Sequence, residues 1–524
     1  MEVRLNYTDI QGNILAHSVE FGFFKARYLF FSINKVDNGR AFVRQLLPLI
    51  TSAAVWLSEE NTRATAVTTN VAFTYNGLKQ LGLPVLSLQS FPDEFIVGMR
   101  GRRTILGDDG RSDPECWDKV WHEDIHVFVS IEAREDQALE QRYAQILAMA
   151  AEIGEIHLLD GHRTAVDGVT LPYQQASVLY EKGIPTAKEH FGYSDGISNP
   201  FFEGMPDDLG NVMGGGKKVR YGDPEQPSTW APLQTGEFIL GYQDEAQEYP
   251  VAPTPPLLAK NGSFMAYSKF HEYVGRFNAY LDTCGAVFPG GKEALAAKFV
   301  GRWRNGAPLT SFPNEADANA IALKRQLALA AINTAKTTDE LVNARAAFKE
   351  INKKFTAFDY SKDIEGSRCP VGAHTRRANP RGSLEFGQDK AFNTPSALDD
   401  RRRMIRRGLP YGIAPDPASN NGDHGTIVMS ICASIKRQFE FVFQQWLNYG
   451  NDFKLANDKD PILGNHDELN GVPQGRMVVQ GDQDTAPYFL SQIPRFIETR
   501  GGDYFFIPSL TALNSIGEGI VDPT

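Results

Sequence analysis

Between residues 26 and 159 the spacing of apolar side chains changes in the order strand, helix, strand, strand, helix, strand, and few compact folds accept that order. Residues 26–33 are rich in aromatic and aliphatic side chains and read as a strand; residues 38–55 carry apolar positions at helical spacing, and residues 66–75 return to a strand. Residues 124–131 alternate as a further strand, residues 135–153 form a second helical stretch, and residues 155–159 a short last strand. This is the order of a ferredoxin-like α+β unit. The second half repeats it less completely: strand 262–267, helix 272–284, strand 425–432, helix 436–448 and strand 503–507. The spacing predicts an α+β protein of two ferredoxin-like domains with antiparallel sheets, 1–163 and 233–524, joined by a Gly-, Pro- and Asp-rich irregular region, 164–232. Residues 314–354, dominated by Ala, Leu, Lys and Glu, look inserted. Thr337-Thr-Asp-Glu340 has a capping-box pattern, so this stretch reads as a helical hairpin that decorates the surface.

The 524 residues exceed what one core usually organises, in keeping with two domains. The net charge of -11 repels nucleic acid and anionic membranes alike, so neither is an expected partner. No run approaches the roughly 18 apolar residues of a membrane span. Glu2, Arg4 and Asp9 stand where a signal peptide needs an apolar stretch, which gives a cytoplasmic expectation. Cys116, Cys284, Cys369 and Cys432 are far apart and form neither CxxC nor CxxCH; they read as isolated buried thiols in a reducing compartment.

Two segments carry chemistry. In the first, Asp195 sits in Gly192-Tyr-Ser-Asp-Gly196; alone, Asp-Gly is a common turn in which the carboxylate caps the backbone. In the second, His374 lies in Cys369-Pro-Val-Gly-Ala-His374, with Arg368, Arg376, Arg377 and Arg381 close in sequence. An isolated histidine is more often structural than a ligand, but guanidinium groups suit bidentate capture of carboxylates such as haem propionates, and Gly372 and Ala373 let a flat macrocycle approach. The arginines alone equally support an anion site with no metal.

The GxxDG string, the Cys-Pro-x-x-Ala-His segment and Arg406-Arg-Gly-Leu-Pro-Tyr-Gly412, taken in order, resemble the dye-decolourising peroxidases. Further family-like strings begin at Asp9, Phe439, Asp460 and Gly501, so the resemblance spans nearly the whole chain except the helical insertion, and it looks most like the longer bacterial and fungal members. It implies non-covalent haem b held mainly by the C-terminal domain, with His374 as the iron ligand and Asp460 holding its other ring nitrogen. It further implies Asp195 as the proton-transfer group and Arg406 as its cationic partner, with Ile197, Thr426 and Val428 beside Arg376, Arg377 and Arg381 in cofactor binding. Related sequences often carry Leu and Phe where this one has Thr426 and Val428, a smaller and partly polar wall. By the same resemblance Tyr411 and Trp446 are surface oxidation sites. His190, beside Asp195, is the second choice of iron ligand.

The implied activity is peroxide reduction coupled to one-electron oxidation of bulky anthraquinone or azo dyes and phenolic aromatics, with manganese(II) as an additional donor and a monomer or homodimer as the working form. Arg401-Arg-Arg-Met-Ile-Arg-Arg407 has a second reading as a charged helix face. Two other functions stay open: a non-catalytic haem-storage or delivery protein, and a metal-free anion-binding module.

Overall fold

The computed structural model describes residues 3–206, 212–220, 222–384, 397–414, 416–481 and 485–522. Its first sheet is built from β1 (Lys25–Ile33), β2 (Val67–Phe73), β3 (Val127–Ala133) and β4 (Ile156–Leu158), with helices α1 (Val36–Leu46) and α2 (Asp136–Ile153) at the two crossovers. The spatial order is β4-β1-β3-β2 and every pairing is antiparallel, Arg27 opposite Ile131 and Thr69 opposite Ile131 on its other side. That is the ferredoxin-like order expected from the residue spacing. The first helix is shorter than the spacing suggests. It ends at Leu46 because Pro48 has no N–H to continue the ladder, and the chain then leaves through short 3-10 turns, with Thr51 N bonded to Thr69 O at 2.8 Å.

The second half has the same order. β5 (Ser263–Glu272), helix α3 (Val274–Gly285), β6 (Ile405–Arg407), β7 (Gly425–Cys432) and β8 (Ile497–Ile507) assemble as β8-β5-β7-β6, all antiparallel. The helical stretch after β7, Lys436–Glu440 and Val442–Leu447, is wound with the wider π spacing. β6 is the strand missing from the sequence pattern. The basic run 401–407 is therefore not a solvated helix face: Ile405 is buried, and Arg407 is buried with its guanidinium donating to Asn13 O at 2.6 Å and Ile14 O at 3.1 Å. Five arginines in seven residues conceal a period of two.

β2 and β8 meet at Phe73 and Phe506, which joins the two sheets into one of ten strands; two further short strands, Gln174–Ser177 and Pro410–Tyr411, add to β1 and β7. The joined sheet curls. Phe30 and Phe128 of the first half lie 5.5 and 5.8 Å from the Tyr267 ring, and Phe128 lies 5.4 Å from Phe505, so the inner faces of the two halves close on each other. Helix α7 (Leu510–Glu518) crosses back to the N-terminal half, where Gly517 seats against Val43 and Arg44 of α1.

The insertion is a helical hairpin, α4 (Glu315–Thr334) and α5 (Thr338–Thr356), and its capping box is formed, with Glu340 N donating to Thr337 Oγ1 and Thr337 N to Glu340 Oε2. It does more than decorate the surface. Arg325, Leu329, Phe348 and Asn352 form one wall of a cavity of about 770 Å³, and Arg345 pairs with Glu59 of the N-terminal half. All four cysteines are free; Cys369 and Cys432 are buried, Cys284 is half-buried, and Cys116, expected to be buried, is exposed. No helix among the described residues is long and apolar enough to cross a membrane.

Gly408 follows β6 with φ of 111°, and a Cβ there would sit 2.1 Å from Ile427 O of β7. Both the positive φ and the approach exclude a side chain. Gly408→Ala is expected to lower stability by about 2–3 kcal/mol, read as a shift of the urea midpoint with unchanged slope.

Candidate active site

The loop carrying Asp195 is shaped by a carboxylate that the sequence reading passed over. Glu189 accepts from Phe191 N at 2.6 Å and Tyr193 N at 2.8 Å, folding the chain into a knuckle whose bend uses Gly192 at φ of 92°. Tyr193 is pinned by its hydroxyl to Ala296 O at 2.8 Å. Ser194 N then bonds Arg304 O and Asp195 N bonds Ala187 O at 2.7 Å, so the Asp195 side chain is presented by a backbone held on both sides. Its Oδ1 accepts from Gly196 N at 2.7 Å, the turn bond expected of Asp-Gly. A glutamate four residues before an anchored tyrosine was the available signal for this knuckle.

Arg406, on β6, donates from Nη1 to Asp195 Oδ1 at 2.9 Å, and its backbone N–H reaches Asn199 Oδ1. The strand period of two then builds one face. Arg406 stands opposite Ser430 on β7, and Val428 and Thr426 follow on the same side of that strand. With Ile197, Asp195 and Arg406 these two line a cavity of about 770 Å³, within the range of small-molecule sites. Nearly half of each of the Asp195 and Arg406 side chains is accessible, 49% and 45%, and this surface faces the cavity. Burial pushes the Asp195 carboxyl up, but the Arg406 charge and the Gly196 N–H outweigh it and hold it below the ordinary carboxylate value.

His374 opens helix α6 (His374–Ala378), presented by the Cys369-Pro370 turn. Its Nδ1 lies 3.1 and 3.2 Å from the two oxygens of Asp460, which is fully buried and also accepts from Ile462 N and Leu463 N at 2.9 and 2.8 Å. This pair leaves Nε2 as the outward nitrogen, and 27% of the side chain stays accessible. Burial lowers the imidazole pKa, and Asp460 outweighs it to raise the value overall; Arg406 and Asp195 also act on it, so His374 lies within electrostatic reach of the cavity pair. His374 is not among the residues lining the cavity, but a histidine fixed at Nδ1 by a buried anion, beside Gly372 and Ala373 and within electrostatic reach of the cavity pair, fits a haem ligand.

Three expectations need correction. Arg376 is fully buried and donates to Cys369 O and Ile364 O, while Arg377 donates to Trp446 O, Asp458 O and Tyr449 O; both tie the fold together and neither lines the cavity. Arg381 is held by Thr356 O and Phe358 O, and of these arginines it comes nearest the cavity, through Ser198 Oγ at 2.6 Å. Tyr411 and Trp446 are not surface residues. Each is 2% exposed: Tyr411 is paired into the sheet edge beneath Lys269, and Trp446 packs between Phe441 and Phe453 with Nε1 bonded to Asp452. His190 is tied through Nε2 to Tyr411 O at 2.9 Å, on the Asp195 side.

Residues 9–164 match the family model described as the DyP dimeric alpha+beta barrel domain. The chain is 29% identical over 534 residues to Peroxidase 2 of Mycetinis scorodonius, covering 98% of this chain and 88% of that one. It is 28% identical over 547 residues to a dye-decolorizing peroxidase of Mycena epipterygia, covering 98% and 87%. The structure of an ancestral D-type dye decolorizing peroxidase superposes with a TM-score of 0.74 at 25% identity, covering 98% of this chain and all of that one.

The Asp195–Arg406 pair has a pH signature. A depressed carboxyl contributes stability above its unfolded pKa of about 3.9, and loses it as pH falls through the lower folded value. Arg406→Leu removes the main counterweight to burial, so the Asp195 carboxyl is expected to titrate above that reference value. Carbon-detected NMR of labelled aspartate, with Asp195→Asn to assign the resonance, checks this; an unmoved midpoint counts against the pairing.

Proposed function

We infer that the chain is a haem-dependent peroxidase of the dye-decolourising family that reduces hydrogen peroxide and oxidises dyes and phenolic aromatics by one-electron steps. The observation that carries the assignment of roles is the Asp195–Arg406 ion pair, open to the cavity and within electrostatic reach of a histidine tied to a buried aspartate.

Non-covalent haem b, with His374 as its protein ligand, supplies the redox equivalents when bound. The described residues support this through the accessible His374 ring, the Asp460 anchor and the cavity lined by Ile197, Thr426 and Val428. The protein's share of the reaction is proton handling and charge stabilisation. Asp195, ionised beside Arg406, accepts a proton from the inner oxygen of peroxide and returns it to the outer oxygen, which leaves as water. Arg406 stabilises negative charge as the O–O bond breaks. Asp460 fixes the Nδ1–H tautomer of His374 and keeps Nε2 turned outward. A storage or delivery protein has no use for the Asp195–Arg406 pair, and the family relationship speaks against that alternative.

Tyr411 and Trp446 are buried, so oxidation of large donors at either side chain is not supported. The cavity continues past Phe201 and Met205 to the hairpin wall at Arg325, Phe348 and Lys349, an approach whose cations suit anionic aromatics.

Purified protein supplied with haem, its absorption spectrum, and turnover with peroxide and a chromogenic donor test the whole reading. His374→Ala is expected to lose most of its haem per protein chain; stoichiometric haem with an unchanged spectrum overturns the ligand role. Asp195→Asn is expected to keep haem and to slow peroxide reduction by about 10²–10⁴-fold. Because the Asp195 carboxyl stays ionised in mild acid where a histidine base is protonated, wild-type activity is expected to persist below pH 6.5, the reference region of histidine.

A further inference from the structure

Behind the cavity wall runs a row of buried titratable groups with no part in the reactions above. Glu272 ends β5 on the cavity-facing side, fully buried, and its Oε1 accepts from the hydroxyl of Thr426, a lining residue. Its Oε2 accepts from His190 N at 3.1 Å. The Glu189 and Glu272 carboxyls, held together by the His190 N–H that Glu272 accepts, lie close enough to act on each other's ionisation. Burial raises both above the ordinary carboxylate value, with the Glu272 charge adding to it at Glu189 and the Asp195 charge at Glu272, which reaches about 7.

Beyond Glu272 three imidazoles follow one another around the end of the sheet. The His190 and His424 rings are 5.2 Å apart, as are the His424 and His271 rings, and the His271 ring lies 4.7 Å from Tyr273. His424 is fully buried with neither ring nitrogen partnered, and His271 Nδ1 is likewise without a partner. Buried polar atoms of this kind are normally completed by water. The row ends where the Tyr273 hydroxyl bonds Glu498, beside Arg500 and the exposed Arg111. Burial holds all three imidazoles below their ordinary value, His190 at about 4 and His271 at about 3, so each is neutral near pH 7; His190 gives its one N–H to Tyr411 O, which leaves His424 and His271 as the rings able to pass a proton. The charges facing the row are Lys269 with its partners Asp118 and Asp423, Arg163 on Asp118, and Asp195 on the cavity side of Glu272.

We propose that His271 and His424, bridged by water at their unpartnered nitrogens, and the Glu189–Glu272 carboxyl pair form a proton path from the buried Tyr273–Glu498 pair, beneath the exposed Arg111, to the cavity at Thr426. Its purpose rests on the peroxidase reading. Donors oxidised outside release their protons outside, whereas water forms inside, so one proton must enter for each electron delivered. At every link one N–H or O–H bond forms as its neighbour breaks, and net charge is carried only by the moving proton. Asp195 shuttles a proton within bound peroxide; this path supplies the protons that peroxide does not bring.

The test is made on the resting protein as purified, without peroxide, so it stands apart from turnover. Infrared spectra at pH 7 should show a protonated carboxyl band that Glu272→Gln removes, and rapid mixing into D2O should shift that band as deuterium reaches the pair. His424→Phe and His271→Phe interrupt the row at separate points and keep ring volume. Each is expected to slow deuterium arrival about tenfold or more, a barrier increase of about 1.4 kcal/mol, without removing the band. Absence of the band in wild type, or exchange at the wild-type rate in a folded interruption variant, overturns the path; if His424→Phe does not fold, His271→Phe decides.

Discussion

The antiparallel register of β7 is the constraint on which the site depends. β7 pairs on one side with β5, Thr426 opposite Phe270 and Val428 opposite Ser268, and on the other with β6 and residues 410–411, Arg406 opposite Ser430 and Tyr411 opposite Gly425. Because side chains alternate along a strand, this register sends Arg406, Thr426, Val428 and Glu272 to one face and Lys269 and His271 to the other. A slip of one residue would exchange the cavity lining for the barrel interior. Gly408, pressed against Ile427 O, lets the chain pass from β6 to residues 410–411 without losing that register.

The arginines near His374 show how poorly sequence proximity reports on proximity to a ligand. Arg376 and Arg377 are two and three residues from His374 in the chain, yet each spends its donors on main-chain carbonyls of the surrounding loops. A buried guanidinium must satisfy its N–H groups, and loop carbonyls are the nearest acceptors. The cavity cation that pairs with Asp195, Arg406, arrives from a distant strand, and its partner lies 211 residues earlier. The same constraint accounts for the buried carboxyl pair: Glu189 shapes the Asp195 loop while Glu272 closes β5, and the fold brings the two together where Glu272 accepts from His190 N.

The sequence by itself determined the class of fold, the doubled strand and helix order, the helical hairpin with its capping box, and the identities of Asp195, His374, Arg406 and Asp460. These depend on local periodicity and on short motifs whose residues are neighbours in the chain, together with family resemblance for the pairings. Tertiary structure alone decided the rest. It turned the run 401–407 into a strand, because pairing with β7 outweighs a local pattern crowded with charge; it buried Tyr411 and Trp446, because exposure depends on what packs over a side chain; and it made the hairpin a wall of the cavity. It also drew His190, His271 and His424 into one row from three separate segments, a juxtaposition that no spacing in the chain can encode because it is fixed only when the strand ends meet.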